Sequence, residues 1–173
     1  QKMSEENTII LVVDMLKGFL EKGNLFCGKE ARKIIPHVVE LLKSSKRKKI
    51  FFICDSHDEN DREFKMFPPH CIKGTEESKV IDELTSFKGE TIPKRSYSGF
   101  FNTNLEKRLL ETAHDKVIVV GVCTDICVLH TVADLRSRDY KVEVPKKCVS
   151  SYDRAAHKFA LKHIEKILGA TIT

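Results

Sequence analysis

The feature that most constrains the fold is a regular alternation of short apolar runs with longer helical patterns. The apolar runs are rich in β-branched residues, which is typical of strands buried on both faces of a parallel sheet. They cover residues 8–13, 50–54, 90–93, 117–122 and 141–144, with a weaker run at 170–173. The helical patterns cover residues 29–45, 76–84, 102–113, 125–138 and 152–167. This alternation predicts a parallel sheet with helices on both faces.

The chain has the size and composition of one globular domain. Its 173 residues are 41% hydrophobic and contain no internal repeat, low-complexity segment or linker rich in proline and glycine. We therefore expect a single domain over residues 1–173. Its fold class is α/β, three-layer α/β/α and Rossmann-like, with a sheet of about six strands in the order 3-2-1-4-5-6. The longest irregular stretch, residues 55–75, predicts a functional or disordered loop.

The charge pattern argues against a nucleic-acid or membrane partner. The formal net charge of +5 comes from 30 basic and 25 acidic residues scattered along the chain. The dense basic run at residues 46–49 ends a helical pattern and contains no aromatic residue, so we interpret it as a solvated helix terminus. No apolar stretch approaches the roughly 20 residues that span a bilayer, and no secretory signal opens the sequence. These features predict a cytoplasmic protein.

The six cysteines do not form the pattern of a disulfide framework. They are Cys27, Cys54, Cys71, Cys123, Cys127 and Cys148. Their spacing is uneven and two of them lie at the ends of predicted strands, so we expect reduced thiols. No paired C-x-x-C spacing marks a structural zinc site.

Chemically active side chains gather where the predicted strands end. Asp14 follows the first strand, Asp55 and His57 follow the second, Lys94 follows the third, and Cys127 follows the fourth. Because the carboxyl ends of parallel strands share one edge of an open sheet, we expect these groups in one crevice. A carboxylate can take the proton of a thiol and later give it to a leaving amine, while an ammonium steadies anionic charge. The set therefore suits acyl transfer.

The stretch GVCTDICVLH, residues 121–130, contains two cysteines, and only one has the placement of a nucleophile. Thr124 or Asp125 can cap the helix that follows the strand, so Cys127 falls in its first turn. Unpaired N–H groups and the helix dipole there favour a thiolate. Cys123, at the strand end, lacks this placement. We therefore expect Cys127 to be the nucleophile.

Each of these residues also has an ordinary structural explanation. Asp14 could cap a turn, Lys94 could be a surface ammonium and Cys127 could be a small buried apolar residue. Their coincidence at three strand ends favours the functional interpretation. Asp55, His57 and a later histidine, His70, offer one carboxylate and two imidazoles, which suit zinc, iron or manganese. Histidines in a polar loop are more often solvated than ligated, so this set alone carries less weight.

Five segments, taken in order, resemble a known enzyme family. They are VVDMLKGF, CDSHDENDREF, FPPHCIKGT, PKRSYSGF and GVCTDICV. The series is similar to the ordered motifs of nicotinamidases, within the isochorismatase-like cysteine hydrolase superfamily, and it covers about residues 8–150. The segment FPPHCIKGT joined to Asp-x-His is the most specific part of the resemblance.

The resemblance implies a role for particular residues. It implies a catalytic triad of Asp14, Lys94 and Cys127. It implies metal ligands, namely Asp55, His57 and His70, with Glu63 at a position where some relatives have a fourth ligand. It implies a substrate pocket in which Phe19 and Phe67 sandwich a pyridine ring and Tyr97 lines the wall. The bond before Cys123 is expected to be a cis peptide, with the N–H groups of Cys123 and Cys127 forming an oxyanion hole.

The activity that the resemblance implies is the hydrolysis of nicotinamide to nicotinate and ammonia, a step of NAD salvage, with pyrazinamide as a further substrate. The implied cofactor is one divalent metal ion, with zinc ahead of iron and manganese. One alternative is a metal-free relative that acts on another small amide or on isochorismate. Another is a catalytically silent partner domain. The sequence leaves the oligomeric state open, and a homo-oligomer is one alternative.

Overall fold

The computed structural model describes residues 7–44 and 47–173, and within them seven strands form one sheet. The strands are β1 (Thr8–Val13), β2 (Lys48–Asp55), β3 (Glu90–Lys94), β4 (Lys116–Val122), β5 (Val142–Val144), β6 (Val149–Ser150) and β7 (Thr171–Ile172). All pairings are parallel, and the order is β3-β2-β1-β4-β5-β7, with β6 paired to β4. The predicted α/β fold with order 3-2-1-4-5-6 is confirmed, its sixth strand being β7. The sequence missed β6 because two residues form no recognisable apolar run.

Helices cover both faces of the sheet. They are α1 (Lys17–Leu20), α2 (Lys29–Arg32), α3 (Ile35–Ser44), α4 (Leu105–Leu110), α5 (Leu129–Ser137) and α6 (Arg154–Lys166). Alternate residues of β1 face opposite layers, as the strand period requires. Ile10 belongs to the apolar cluster that includes Leu42 of α3, whereas Leu11 belongs to the cluster with Leu135 of α5 and Ile164 of α6. The three-layer arrangement follows from these two clusters.

Two of the predicted helices are wrong in part. The pattern at 29–45 divides into α2 and α3, because Pro36 has no N–H to continue a hydrogen-bond ladder across the junction. Residue 45 lies outside the described residues. The pattern at 76–84 forms two 3-10 turns, Glu76–Ser78 and Asp82–Leu84. Between them the chain pairs with the segment after β1: the N–H of Ile81 donates to the Met15 carbonyl at 3.0 Å.

The basic run also differs from its prediction. Lys48 and Lys49 begin β2 and do not end a helix, and Lys49 lies 3.9 Å from the Glu90 carboxylate. Residue 46 lies outside the described residues. Among the helices of residues 7–44 and 47–173, none has the length and apolar character needed to cross a membrane.

The long segment at 55–75 takes a defined path over the edge of the sheet. It contains one 3-10 turn, Arg62–Lys65, and its two ends are tied by backbone pairing between His57 and Ile72. The N–H of His57 donates to the Cys71 carbonyl at 3.0 Å, and the N–H of Lys73 donates to the His57 carbonyl at 2.8 Å. The segment is therefore an ordered loop. Of the two alternatives predicted for it, functional or disordered, the functional one remains.

Candidate active site and metal centre

The carboxyl ends of three strands bring the three predicted catalytic residues together. Asp14 directly follows β1, Lys94 ends β3, and Cys127 lies in a π-helical turn, Thr124–Val128, between β4 and α5. All three side chains are buried. The Nζ of Lys94 lies 3.0 Å from Oδ2 of Asp14 and 3.3 Å from Sγ of Cys127. The ammonium therefore contacts both the candidate base and the candidate nucleophile.

Lys94 is held by carboxylates on two strands. Its ammonium donates to Oδ1 of Asp55 and to the Ser96 carbonyl, the latter at 2.8 Å, in addition to its contact with Asp14. Burial alone would lower the pKa of Lys94, but the Asp14 and Asp55 carboxylates raise it well above its ordinary value. Lys94 thus stays charged and supplies a fixed positive charge beside Cys127.

Asp14 has the environment of a proton acceptor. Burial, together with the charge of Asp55, raises its pKa to about 6 against the opposing effect of Lys94. Its Oδ1 accepts the Asp55 N–H at 2.9 Å, which fixes the carboxylate plane. Its Oδ2 lies near the Lys94 ammonium but makes no directed hydrogen bond. This oxygen is the one that can receive a proton from Cys127, whose sulfur lies within 4.8 Å of the Asp14 carboxylate.

The sequence predicted a thiolate at Cys127, but the burial of its sulfur favours the neutral thiol. Burial raises the pKa of the thiol well above its ordinary value; the Lys94 ammonium opposes this effect, and the charges of Asp14 and Asp55 add to it. A helix start can stabilise an anion, but here the sulfur is enclosed and faces two carboxylates. Cys127 therefore rests as a thiol and needs a base, which Asp14 can be.

The turn that carries Cys127 is built differently from the predicted cap. The residue before it is Cys123, and no side chain caps the helix. The Thr124 hydroxyl instead pairs with Nδ1 of the buried His157 in α6, at 2.7 Å. The Cys123 carbonyl accepts the N–H of Ile126 at 3.0 Å and the N–H of Val128 at 3.2 Å. The peptide bond between residues 122 and 123 is cis, as the resemblance implied.

All four predicted metal ligands converge beside this triad. They are Asp55, His57, Glu63 and His70, whose ligand atoms lie within 4.8 Å of one another. The Nε2 of His57 lies 3.3 Å from Oδ2 of Asp55 and 3.2 Å from Oε2 of Glu63. The Nε2 of His70 lies 2.9 Å from the same Glu63 oxygen. Two imidazole nitrogens and two carboxylates thus face one point.

The two histidines are oriented by acceptors on their far sides. The Nδ1 of His57 pairs with Oδ2 of Asp61 at 3.0 Å, and the Nδ1 of His70 pairs with the Pro68 carbonyl at 2.9 Å. Each ring therefore presents Nε2 to the cluster, and metal-bound histidines are usually oriented in this way by an acceptor on their other nitrogen. The sequence reasoning missed Asp61. Its only signal was an acidic residue four positions after His57, in a loop that has no helical period.

The cluster has the donor set and the charge that a divalent cation requires. The Nε2 of His57 is buried but makes no well-directed hydrogen bond to either of the carboxylates beside it, although buried polar atoms are normally paired. Burial alone would lower the pKa of His57, but Asp55 and its neighbouring carboxylates raise it to about 9. The cluster therefore favours positive charge at this point. These residues fit a bound metal ion.

A pocket of about 430 Å³, partly open to solvent, joins the metal cluster to the triad. Its lining includes all three residues predicted to bind substrate, Phe19, Phe67 and Tyr97. The ring centroids of Phe19 and Phe67 lie 5.8 Å and 6.3 Å from that of His70, so both aromatics lie on the metal side. The sequence missed five further lining residues, which are Leu25, Cys27, Val122, Ile126 and Tyr152.

Comparison with known proteins places this site in a family. Residues 8–173 match the isochorismatase domain. The chain belongs to the isochorismatase family. A Bacillus subtilis isochorismatase family protein named PncA is 35% identical over 177 residues, which cover 94% of this chain and 97% of the relative.

Solved structures extend the family likeness to the whole fold. A pyrazinamidase/nicotinamidase from Streptococcus mutans superposes with a TM-score of 0.90 at 36% identity, covering 96% of this chain and 99% of that one. A pyrazinamidase from Pyrococcus horikoshii, crystallised in complex with zinc, superposes with a TM-score of 0.88 at 28% identity, covering 96% and 98%. This isochorismatase-family chain therefore shares its fold with amide hydrolases, one of which contains zinc.

Proposed function

We propose that this isochorismatase-family protein is a nicotinamidase, which hydrolyses nicotinamide to nicotinate and ammonia. The observation that carries the proposal is that one pocket is lined by residues of both sites, Asp14 and Cys127 from the triad and Asp55, Glu63 and His70 from the metal cluster. A metal-free amide hydrolase has no need of the cluster. The names of the structural relatives from Streptococcus mutans and Pyrococcus horikoshii support the same substrate class.

The metal cluster gives the proposed substrate its orientation. Asp55, His57 and His70 would hold one divalent ion, zinc before iron or manganese, with Glu63 as a fourth ligand. The ion, when bound, supplies a Lewis acid for the pyridine nitrogen, which aligns the ring and withdraws electron density from the carboxamide. Phe19 and Phe67 would pack against the two faces of the ring, and Tyr97 would close one wall. Pyrazinamide, which keeps a ring nitrogen beside its carboxamide, is a second expected substrate.

The first half of the reaction is acylation of Cys127. The thiol proton passes to Oδ2 of Asp14 as the sulfur attacks the carboxamide carbon. The N–H groups of Cys123 and Cys127 donate to the oxygen that becomes negatively charged. Asp14 then gives its proton to the leaving nitrogen, and ammonia departs. Lys94 balances the negative charge of Asp14 and of the sulfur throughout.

The second half is hydrolysis of the thioester. Asp14, again ionised, takes a proton from water, and the oxygen attacks the acyl carbon under the same pair of N–H groups. The proton returns to the Cys127 sulfur as nicotinate leaves. The whole chain acts as one hydrolase domain, and we assign the reaction to NAD salvage in the cytoplasm.

The direct test is an assay of ammonia release from nicotinamide, with nicotinate identified as the acid product. We expect turnover by the purified, metal-loaded protein. Release of ammonia from unrelated small amides but not from nicotinamide would replace this proposal with that of another amide hydrolase. No release from any amide would favour a catalytically silent domain.

Asp61 provides a separate prediction about the metal cluster. Its Oδ2 orients His57, and its Oδ1 accepts the Glu63 N–H at 2.9 Å, so one side chain positions two ligands. We expect Asp61→Ala to weaken metal affinity by roughly 10- to 100-fold, the usual cost of losing a group that orients a metal ligand. Competition with a chromogenic chelator measures this affinity. Asp58→Ala, an exposed acid in the same loop, is the matched control, and equal affinities in the two variants would contradict the assignment.

A further inference from the structure

Two thiols that have no part in the proposed reaction contact each other in the pocket wall. Cys27 lies between α1 and α2, and Cys123 lies at the end of β4. Their sulfurs are 3.6 Å apart although 96 positions separate the residues in the sequence. The two residues are 3% and 8% exposed, and both line the pocket that contains Cys127. A small reagent that enters the pocket therefore meets two adjacent thiols beside the nucleophile.

We propose that Cys27 and Cys123 form a reversible disulfide under oxidation by hydrogen peroxide, and that this bond stops turnover. A disulfide needs its sulfurs at about 2.05 Å, so the pair must approach by roughly 1.5 Å, which rotation about the Cα–Cβ bonds can supply. The rotation of Cys27 gives up a weak contact of its sulfur with the Leu25 carbonyl, at 3.5 Å, and rotation of Cys123 gives up a hydrogen bond from the Tyr152 backbone.

The oxidation balances with peroxide as the sole co-reactant. One sulfur attacks the peroxide, so that an S–O bond forms, the O–O bond breaks and the first water leaves with one thiol proton. The second sulfur then attacks the first, so that the S–S bond forms, the S–O bond breaks and the second water leaves with the other thiol proton. The two sulfurs lose one pair of electrons, and the peroxide oxygens gain it.

The surroundings of the other cysteines make this pair distinctive. The sulfur of Cys54 is directed to the Phe52 carbonyl and that of Cys71 to the Glu77 carbonyl, each at 3.5 Å. The sulfur of Cys127 accepts the Lys94 ammonium. The geometry therefore directs cross-linking to the contact between Cys27 and Cys123.

The disulfide would affect catalysis through the backbone of Cys123. That residue supplies one of the two N–H groups of the proposed oxyanion hole, and a bond to Cys27 would pull it toward the segment between α1 and α2. Loss of one oxyanion-hole donor costs hydrolases roughly 10²–10³-fold in turnover. The effect on turnover rests on the proposed function, whereas formation of the disulfide does not.

In the test, metal-loaded protein is treated with hydrogen peroxide and the excess is removed. The cross-link and the enzymatic activity are then measured separately. Peptide mass mapping without reductant should find Cys27 joined to Cys123, with the loss of two hydrogens. Ammonia release from nicotinamide should fall by at least about 10²-fold and return after treatment with dithiothreitol. Cys148→Ala, which removes a buried thiol outside the pocket, should respond as the unaltered protein does.

Two variants separate this site from oxidation of the nucleophile. Cys27→Ala and Cys123→Ala each remove one sulfur, and each should form no cross-link and keep its own starting turnover at the same peroxide dose. Absence of the cross-link in the unaltered protein, or a link to a different cysteine, would overturn the proposal. Equal inactivation of both variants would also overturn it, since Cys127 would then be the oxidised group. A cross-link in a protein that does not hydrolyse nicotinamide supports the disulfide and contradicts only the proposed function.

Discussion

Replacing Cys127 with alanine is expected to lower the hydrolysis of nicotinamide on the order of 10⁶-fold, the loss seen when other hydrolases lose their nucleophile. The reason is that Cys127 is the thiol placed against both the Lys94 ammonium and the Asp14 carboxylate. Without its sulfur no acyl-enzyme can form, while the metal cluster stays intact. Ammonia release gives the rate, and metal content shows that the variant retains the site.

Cys148→Ala is the matched control for this variant, because Cys148 is equally buried but does not line the pocket. It should keep its turnover. Activity in Cys127→Ala, together with loss of activity in Cys123→Ala, would reverse the assignment of the nucleophile.

Asp14→Asn is expected to lower turnover by about 10²–10⁴-fold, the usual contribution of general acid–base catalysis. The amide keeps the size of the side chain but cannot accept the thiol proton or return it to ammonia. In the unaltered protein the pKa of Asp14 is raised to about 6 by burial and by Asp55. Asp14 is therefore ionised, and able to act as a base, above that pH and protonated below it.

The pH dependence gives this second prediction a separate measurement. In metal-stripped protein, alkylation of Cys127 should slow as the pH falls through about 6, because Asp14 then becomes protonated. Asp14→Asn should lack this inflection, whereas Asp58→Asn, an exposed control, should keep it. The same acid inflection in Asp14→Asn would remove Asp14 from its role as base.

The strands, and the convergence of Asp14, Lys94 and Cys127 at one sheet edge, could be predicted because both follow from local patterns. Buried parallel strands are recognisable in a sequence as runs of β-branched residues, and the residues that follow such strands lie at one edge of the sheet. The helix predicted at 76–84 was wrong for the opposite reason. The apolar residues do recur at helical spacing, but backbone hydrogen bonds join this stretch to the segment after β1. The N–H of Lys17 donates to the Lys79 carbonyl and the N–H of Ile81 donates to the Met15 carbonyl, so the chain cannot form a helix there. Such long-range pairing leaves no trace in the local sequence.

The pKa of Cys127 also could not be predicted from the sequence. The position of Cys127 near a helix start suggested a thiolate, but the depth of burial and the approach of two carboxylates decide its pKa. Glu63 came only from the family resemblance, and Asp61 was missed. The contact between Cys27 and Cys123 joins residues 96 positions apart, so it could be identified only from the folded structure.

Comparing nicotinamide with benzamide shows whether a metal ion directs a pyridine ring onto Cys127. Benzamide keeps the carboxamide and the ring size but has no ring nitrogen. Ammonia release from both is measured with metal-loaded protein and again after chelation. We expect fast turnover of nicotinamide only in the loaded protein, and slow turnover of benzamide both with and without the metal. Benzamide hydrolysed as fast as nicotinamide, or full turnover of nicotinamide after the metal has been removed, would contradict this expectation.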